Sequence, residues 1–239
     1  MPENIVPTKI ISQSLVGTVI AVQANFCQVQ IDPDPPATVV ISLLCTRCAR
    51  LQKIGITAMV GDRVIVEEAD WQSGRGVVAD VFPRHSILDR PPIANADRVL
   101  LLFAFAEPAL DPYLLSKFLV KAESTGLQVS LCLNKSDLVT EILRTESCDR
   151  LESWGYQPIA ISVTTGTGVQ ELRARLDRQI TVFAGHSGVG KSSLTNALIP
   201  DLNLRVATVS GKLSRGRHTT RHVELFTMPT GGLIADTPG

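Results

Sequence analysis

The chain carries no excess of either charge. Lys+Arg and Asp+Glu number 23 each over 239 residues, so the formal net charge is zero. A globally basic coat for nucleic acid is thereby excluded, and any surface for a polyanion must be local. Long hydrophobic runs are also missing. The longest, Val99 to Ala106, has eight residues, against the roughly 20 that a membrane-crossing helix needs. No Lys/Arg-led apolar leader opens the sequence. A soluble, cytoplasmic chain with no membrane partner is expected. Cysteines are few and odd in number, at 27, 45, 48, 132 and 148, which suits reduced thiols better than a disulfide framework. Cys45-Thr46-Arg47-Cys48 has zinc-ligand spacing, but no second Cys pair or His pair follows nearby. A structural zinc site takes four ligands, so two ordinary thiols are the reading and no zinc ligand is assigned. Apolar residues are plentiful at 44%, which supports a packed core and argues against disorder.

Punctuation divides the chain. Residues 1–13 read as a tail. Residues 14–85 hold five short β-rich runs, Leu15–Val22, Phe26–Ile31, Thr38–Leu44, Arg63–Glu67 and Gly76–Phe82, separated by turn chemistry at Asp32-Pro33-Asp34-Pro35-Pro36, Gly61-Asp62 and Gln72-Ser73-Gly74. Helical periodicity is absent there. Five close strands predict a small barrel of the OB type. Up to His85 the chain has seven Lys/Arg and eight Asp/Glu, so the barrel is not a basic platform. Residues 86–96, with Pro91-Pro92, read as a linker. Residues 97–239 then alternate buried runs with helical patterns. Val99–Ala104 suits a strand buried on both faces. Asp111-Pro112 starts a helix carrying Leu114, Leu115, Phe118, Leu119 and Ala122. Gln128–Leu133, Thr140–Trp154, Pro158–Val163 and the helix marked by Val169, Leu172 and Leu176 follow. This alternation predicts an α/β domain with a mainly parallel sheet.

Gly185-His186-Ser187-Gly188-Val189-Gly190-Lys191-Ser192 organises that second domain. It follows the strand Thr181–Ala184 and precedes the helix Ser193–Ile199, the context a phosphate-binding loop requires. Glycines let backbone N–H groups face one point, and the helix start adds positive potential. Lys191 reaches β- and γ-phosphates, and the Ser192 hydroxyl is a ligand for Mg²⁺. Asn134-Lys135-Ser136-Asp137 directly follows the strand ending at Leu133. A carboxylate at Asp137 accepts from guanine N1–H and the 2-amino group together, whereas adenine would leave it unpaired. The Lys135 stem packs along the base, and Asn134 ties this loop to the phosphate loop. Ser162-Val163-Thr164 ends the next strand and looks like the second base loop of GTPases, with the Val163 N–H facing guanine O6. His186 is a variable position within the phosphate loop, and Ser193 follows it on the helix.

In ordinary GTPases the phosphate loop comes first. Here both base loops precede it, and Asp236-Thr237-Pro238-Gly239 comes last, as in a circular permutation. Asp236 would hold Mg²⁺ through water, and the Gly239 N–H would sense the γ-phosphate. A permuted GTPase behind a small barrel resembles the ribosome small-subunit-dependent GTPases, a bacterial and plastid family. Arg90-Pro91-Pro92-Ile93-Ala94-Asn95-Ala96-Asp97, Leu133–Leu138, Gly188–Leu194 and Gly216-Arg217-His218-Thr219-Thr220 carry the resemblance. It implies GTP hydrolysis stimulated by the small ribosomal subunit during late maturation, contact with 16S rRNA, GTP/GDP and Mg²⁺ as ligands, and a monomer. It also implies that His218 is catalytic alongside Lys191, and that Thr219 or Thr220 is the switch threonine. From Arg205 through Arg221 there are five Lys/Arg and no Asp or Glu, the local patch the whole chain lacks. The resemblance further implies switch II and a zinc-binding helical domain beyond Gly239, so the GTPase domain is expected to be incomplete at its C-terminus and Zn²⁺ to belong only to that later domain. A guanine-nucleotide-dependent RNA-binding module with little or no turnover is the alternative, and an ATP-using enzyme is a third reading that Asp137 opposes.

Overall fold

The computed structural model describes residues 14–33, 41–53, 55–200, 202, 204 and 223–236. The chain divides into two compact units, 1–84 and 85–239.

In the first unit, β1 (Leu15–Gln23), β2 (Phe26–Ile31), β3 (Ile41–Arg47), β4 (Arg63–Asp70) and β5 (Arg75–Val81) close into a barrel of order β1-β2-β3-β5-β4. Alternation along β2 and β3 sends Cys27, Val29, Ile31, Leu43 and Cys45 inward, where they meet Val19, Val64, Val66 and Val78. The five-stranded barrel expected from the sequence is therefore present. Two details differ. The third strand runs on to Arg47, because its inward positions continue through Cys45; residues 38–40 of the expected strand lie outside the described residues. A five-residue helix, α1 (Ala49–Lys53), also stands where no helix was expected. It is too short to show a period, and Leu51 is its fully buried anchor. The Asp62 carboxylate is completely buried and accepts from Arg84 Nε at 2.6 Å, from Arg84 Nη2 at 2.8 Å and from the Met59 N–H at 2.7 Å. This clip fastens the end of the unit to the β4 entry turn.

The second unit opens with a hairpin, not a linker. β6 (Ile87–Asp89) and β7 (Pro92–Ala94) pair antiparallel, and Ile93, Ala94 and Ala96 are fully buried. Pro91-Pro92 reads as loop chemistry, yet Pro92 is tolerated as the first residue of a short strand. The main sheet has the order β10-β9-β8-β11-β13-β12, from β8 (Arg98–Ala104), β9 (Gln128–Asn134), β10 (Ile159–Ala160), β11 (Ile180–Ala184), β12 (Leu225–Thr227) and β13 (Leu233–Asp236). All pairs are parallel except that of β12 with β13. α2 (Pro112–Glu123) and α3 (Glu141–Ser153) pack on one face, with Leu115, Leu119 and Leu151 against Val99, Leu101, Phe103, Leu131 and Leu133. α4 (Val169–Arg175) and α5 (Lys191–Leu198) pack on the other, with Leu172, Leu194 and Leu198 against Leu100, Leu102, Phe183 and Ile234. Burial from both sides explains why every residue of β8 is buried. α2 starts as its sequence announces: Asp111 caps it by accepting from the Tyr113 and Leu114 N–H groups at 2.9 and 3.1 Å. β10 is shorter than the Pro158–Val163 run, because beyond the Ile161 N–H, which still donates to Leu133 O, the backbone serves loop bonds: Ile161 O accepts from Ser136 N, and Ser162 N donates to Thr167 O. No helix among the described residues is long and apolar enough to cross a membrane.

Candidate nucleotide site

From β8 the chain moves outward through β9 and β10, then returns to the other side of β8 with β11. The order of strands thus reverses between β8 and β11, and the carboxyl edge at such a reversal is where open α/β sheets bind ligands. The loop after β11 is residues 185–190. Gly185 has φ +151°, and a Cβ there would be driven into the Leu102 carbonyl. Gly190 has φ +98° and caps α5 without a side chain, and a Cβ on it would be driven into Asn134 Nδ2. Side chains are excluded at both points, so the backbone turns tightly and leaves the first N–H groups of α5 facing the loop. No acidic residue stands in the first turn of α5 to compete for them. Lys191 is buried and donates from Nζ to Gly185 O at 2.7 Å and His186 O at 3.1 Å, so its ammonium spans the loop. Thr195 Oγ1 ties back to Lys191 O at 3.1 Å. The His186 ring lies edge-on to Phe103 with centroids 6.1 Å apart, a packing role for a position the sequence leaves undetermined. Ser187 and Gly188 are exposed, Val189 is fully buried, and Ser192 and Ser193 are half-buried on the first turn of α5.

Asn134 is the joint between the loops. It is 3% exposed. Its Nδ2 donates to Val189 O at 3.0 Å, and its Oδ1 accepts from the Val163 N–H at 3.2 Å. The tie to the phosphate loop follows the sequence reading. The Val163 N–H, which the sequence reading turns toward guanine O6, donates here to Asn134 Oδ1. One side-chain amide lies between the two loops, and its donor and its acceptor are both engaged. Lys135 takes the left-handed conformation at φ +62°, and its Nζ donates to Glu107 O. Asp137 is exposed in the short 3₁₀ turn Ser136–Leu138. Ser162 is fully buried, and its Oγ accepts from Thr165 N at 3.1 Å, which shapes the second loop. Asp236 ends β13 in register with Phe183 of β11, at the same carboxyl edge. Gly239, His218, Thr219, Thr220 and the basic stretch 205–221 lie outside the described residues.

The sequence reading missed the segment after β8. Glu107 has φ +51°, rare for a residue with a side chain. Pro108 Cδ lies 3.6 Å from where a Cβ of Gly188 would stand. Its position at the carboxyl end of a buried parallel strand was the available signal. The paired cysteines serve the barrel: Cys45 is fully buried and Cys48 donates to Ala79 O at 3.4 Å.

Residues 81–239 match the family model described as RsgA GTPase. The chain is 59% identical to a Trichormus variabilis protein named small ribosomal subunit biogenesis GTPase RsgA, covering 94% of this chain and 66% of that protein. It is 58% identical to a Nostoc protein named small ribosomal subunit biogenesis GTPase RsgA 1, at 94% and 66% coverage. The chain thus spans just under two thirds of the length of these curated relatives. Among solved structures it is similar to YjeQ from Thermotoga maritima, at 32% identity and a TM-score of 0.77, over 95% of this chain and 75% of that one. It is also similar to YloQ, a circularly permuted GTPase, at 29% identity and a TM-score of 0.75, over 98% and 74%. With the closed barrel and the strand order, these likenesses establish the fold expected from the sequence: an OB-type barrel followed by a circularly permuted GTPase domain.

Proposed function

The chain belongs to the RsgA GTPase family, and on that premise we propose that it is a GTP hydrolase acting in the late maturation of the small (30S) ribosomal subunit, in contact with 16S rRNA. The supporting observation is the convergence of three loops on one carboxyl edge, joined through Asn134. Guanine belongs against Asn134, Lys135 and Asp137, with Ser162 and Val163 on its far side. Phosphates belong in the cradle from Gly185 to Ser193. There the Lys191 ammonium exchanges backbone carbonyls for phosphate oxygens, which concentrates positive charge where negative charge develops in phosphoryl transfer. Mg²⁺ would be held by hard oxygen donors, the Ser192 hydroxyl directly and Asp236 through water, and would supply neutralisation of phosphate charge. Thr219 or Thr220 is the switch threonine in this reading, Gly239 the γ-phosphate sensor and His218 the catalytic side chain.

Asp137→Asn tests the assignment. Asparagine keeps an acceptor for N1–H but turns a donor toward the 2-substituent, which clashes with the guanine amino group and suits the 2-oxo group of xanthine. GTP affinity should fall by about a hundredfold or more, and XTP affinity should rise, by the hydrogen-bond mismatch logic that rejects isosteres. Unchanged GTP affinity would overturn the reading. Single-turnover hydrolysis with and without isolated small subunits then reports whether residues 1–239 turn nucleotide over.

A further inference from the structure

The strand that carries no expected motif lies in the middle of the site. β8 sits between β9, which leads into Asn134 and Lys135, and β11, which leads into the phosphate loop. The base loop and the phosphate loop are therefore two strand spacings apart, about 10 Å. The segment leaving β8 runs over the gap between them. It touches both sides: Phe105 N donates to Asn134 O at 3.0 Å, Glu107 O accepts from Lys135 Nζ, and Pro108 stands against Gly188. In a nucleotide the group that joins base to phosphate is the ribose.

We propose that Glu107 and Pro108 form the ribose wall of the nucleotide site, with the Glu107 carboxylate accepting from the 2′- and 3′-hydroxyls. The proposal rests on the guanine-nucleotide reading above. Three features of Glu107 converge. Its backbone holds the left-handed conformation at φ +51°, which any residue with a Cβ resists and which a built site tends to retain. Its carbonyl fixes Lys135, itself left-handed at φ +62°, so the ammonium that lies along the base is positioned by the residue beside the sugar. Its side chain is exposed at the carboxyl edge, where an acceptor-only group fits a vicinal pair of hydroxyl donors. The Pro108 ring contributes an apolar, donor-free surface against the sugar face. Glu107 is thus a binding residue through its carboxylate and a positioning residue through its carbonyl.

The test compares GDP with 2′,3′-dideoxy-GDP on the 1–239 chain and on its Glu107→Gln and Glu107→Asp variants, by titration of binding. Wild type should prefer GDP by about ten- to a hundredfold, the range of hydrogen bonds to a charged acceptor. Glu107→Gln should cut that preference to about threefold or less while leaving dideoxy-GDP affinity unchanged, and Glu107→Asp should retain part of it. Equal binding of GDP and dideoxy-GDP by wild type would overturn the proposal and leave the guanine reading standing. So would a loss in Glu107→Gln shared equally by both nucleotides, which is what a purely structural role gives. ADP binding as tightly as GDP would instead remove the guanine reading on which the proposal rests.

Discussion

Replacing Gly190 with alanine adds one methyl group at the tightest point of the site. Two costs follow. Alanine at φ +98° is strained by about 1–2 kcal/mol. The new Cβ is also driven into Asn134 Nδ2. That amide has nowhere to go, because Nδ2 is bonded to Val189 O and Oδ1 to Val163 N. Displacing it leaves one or both of these groups without their partner at about 1–3 kcal/mol. The sum is about 2–5 kcal/mol, and each 1.4 kcal/mol that falls on the binding-competent loop costs about tenfold in nucleotide affinity. The two costs separate in a double-mutant cycle with Asn134→Ala. If the collision is real, Gly190→Ala is milder once the amide is gone, and the cycle shows a coupling of about 1–3 kcal/mol. Urea unfolding supplies the assay. The chain has two tryptophans, Trp71 in the barrel unit and Trp154 in the other, so a Trp71→Phe background isolates the unit of interest, and fluorescent GDP reports affinity in parallel. Costs that add within about 0.5 kcal/mol would refute the collision.

Two further outcomes are expected. Arg84→Ala strips the fully buried Asp62 carboxylate of its cation, and the barrel transition, read at Trp71 in a Trp154→Phe background, should lose about 3 kcal/mol; a change under about 0.5 kcal/mol would show that the clip is inert. Burial pushes the Cys45 thiol up to about 12 and raises those of Cys27 and Cys132 as well. Burial also raises the Cys148 thiol, so access rather than thiolate fraction sorts the five: Cys48 and Cys148 are only half-buried, and Ellman's reagent should reach these two in the native chain and all five cysteines after denaturation; rapid native labelling of Cys132 would contradict the buried β9.

Short-range chemistry explains what the sequence disclosed. Asp111-Pro112 announced α2, and Gly185 to Ser192 announced a strand, a turn and a helix, because in each case the deciding contacts lie within a few residues. The motif order alone implied the permutation. The hairpin at 87–94 was hidden because its proline pair mimics a linker, and only the tertiary burial of Ile93, Ala94 and Ala96 makes it a strand pair. α1 was hidden because five residues cannot display a helical period. The Asn134 bond to Val163 N joins positions 29 residues apart and depends on two loops meeting in space. Glu107 carried no motif at all; its place is fixed by the neighbours that β8 acquires in the sheet.

The strand order also sets a schedule for the growing chain. Within this sheet β8 is made first, with β9 soon available to cover one of its edges. The opposite edge belongs to β11, which emerges only after α2, α3 and α4 have been synthesised. Translation at about 5–20 residues per second makes that a wait on the order of several seconds. Throughout it, one edge of a strand that is apolar from Val99 to Ala104 offers unpaired backbone groups to any passing extended chain. The residues that close this edge are those that lead into the phosphate loop. A nascent chain therefore closes this edge of β8 in the same step that brings up its phosphate loop, and passes the open edge on to β11 until β13 is made.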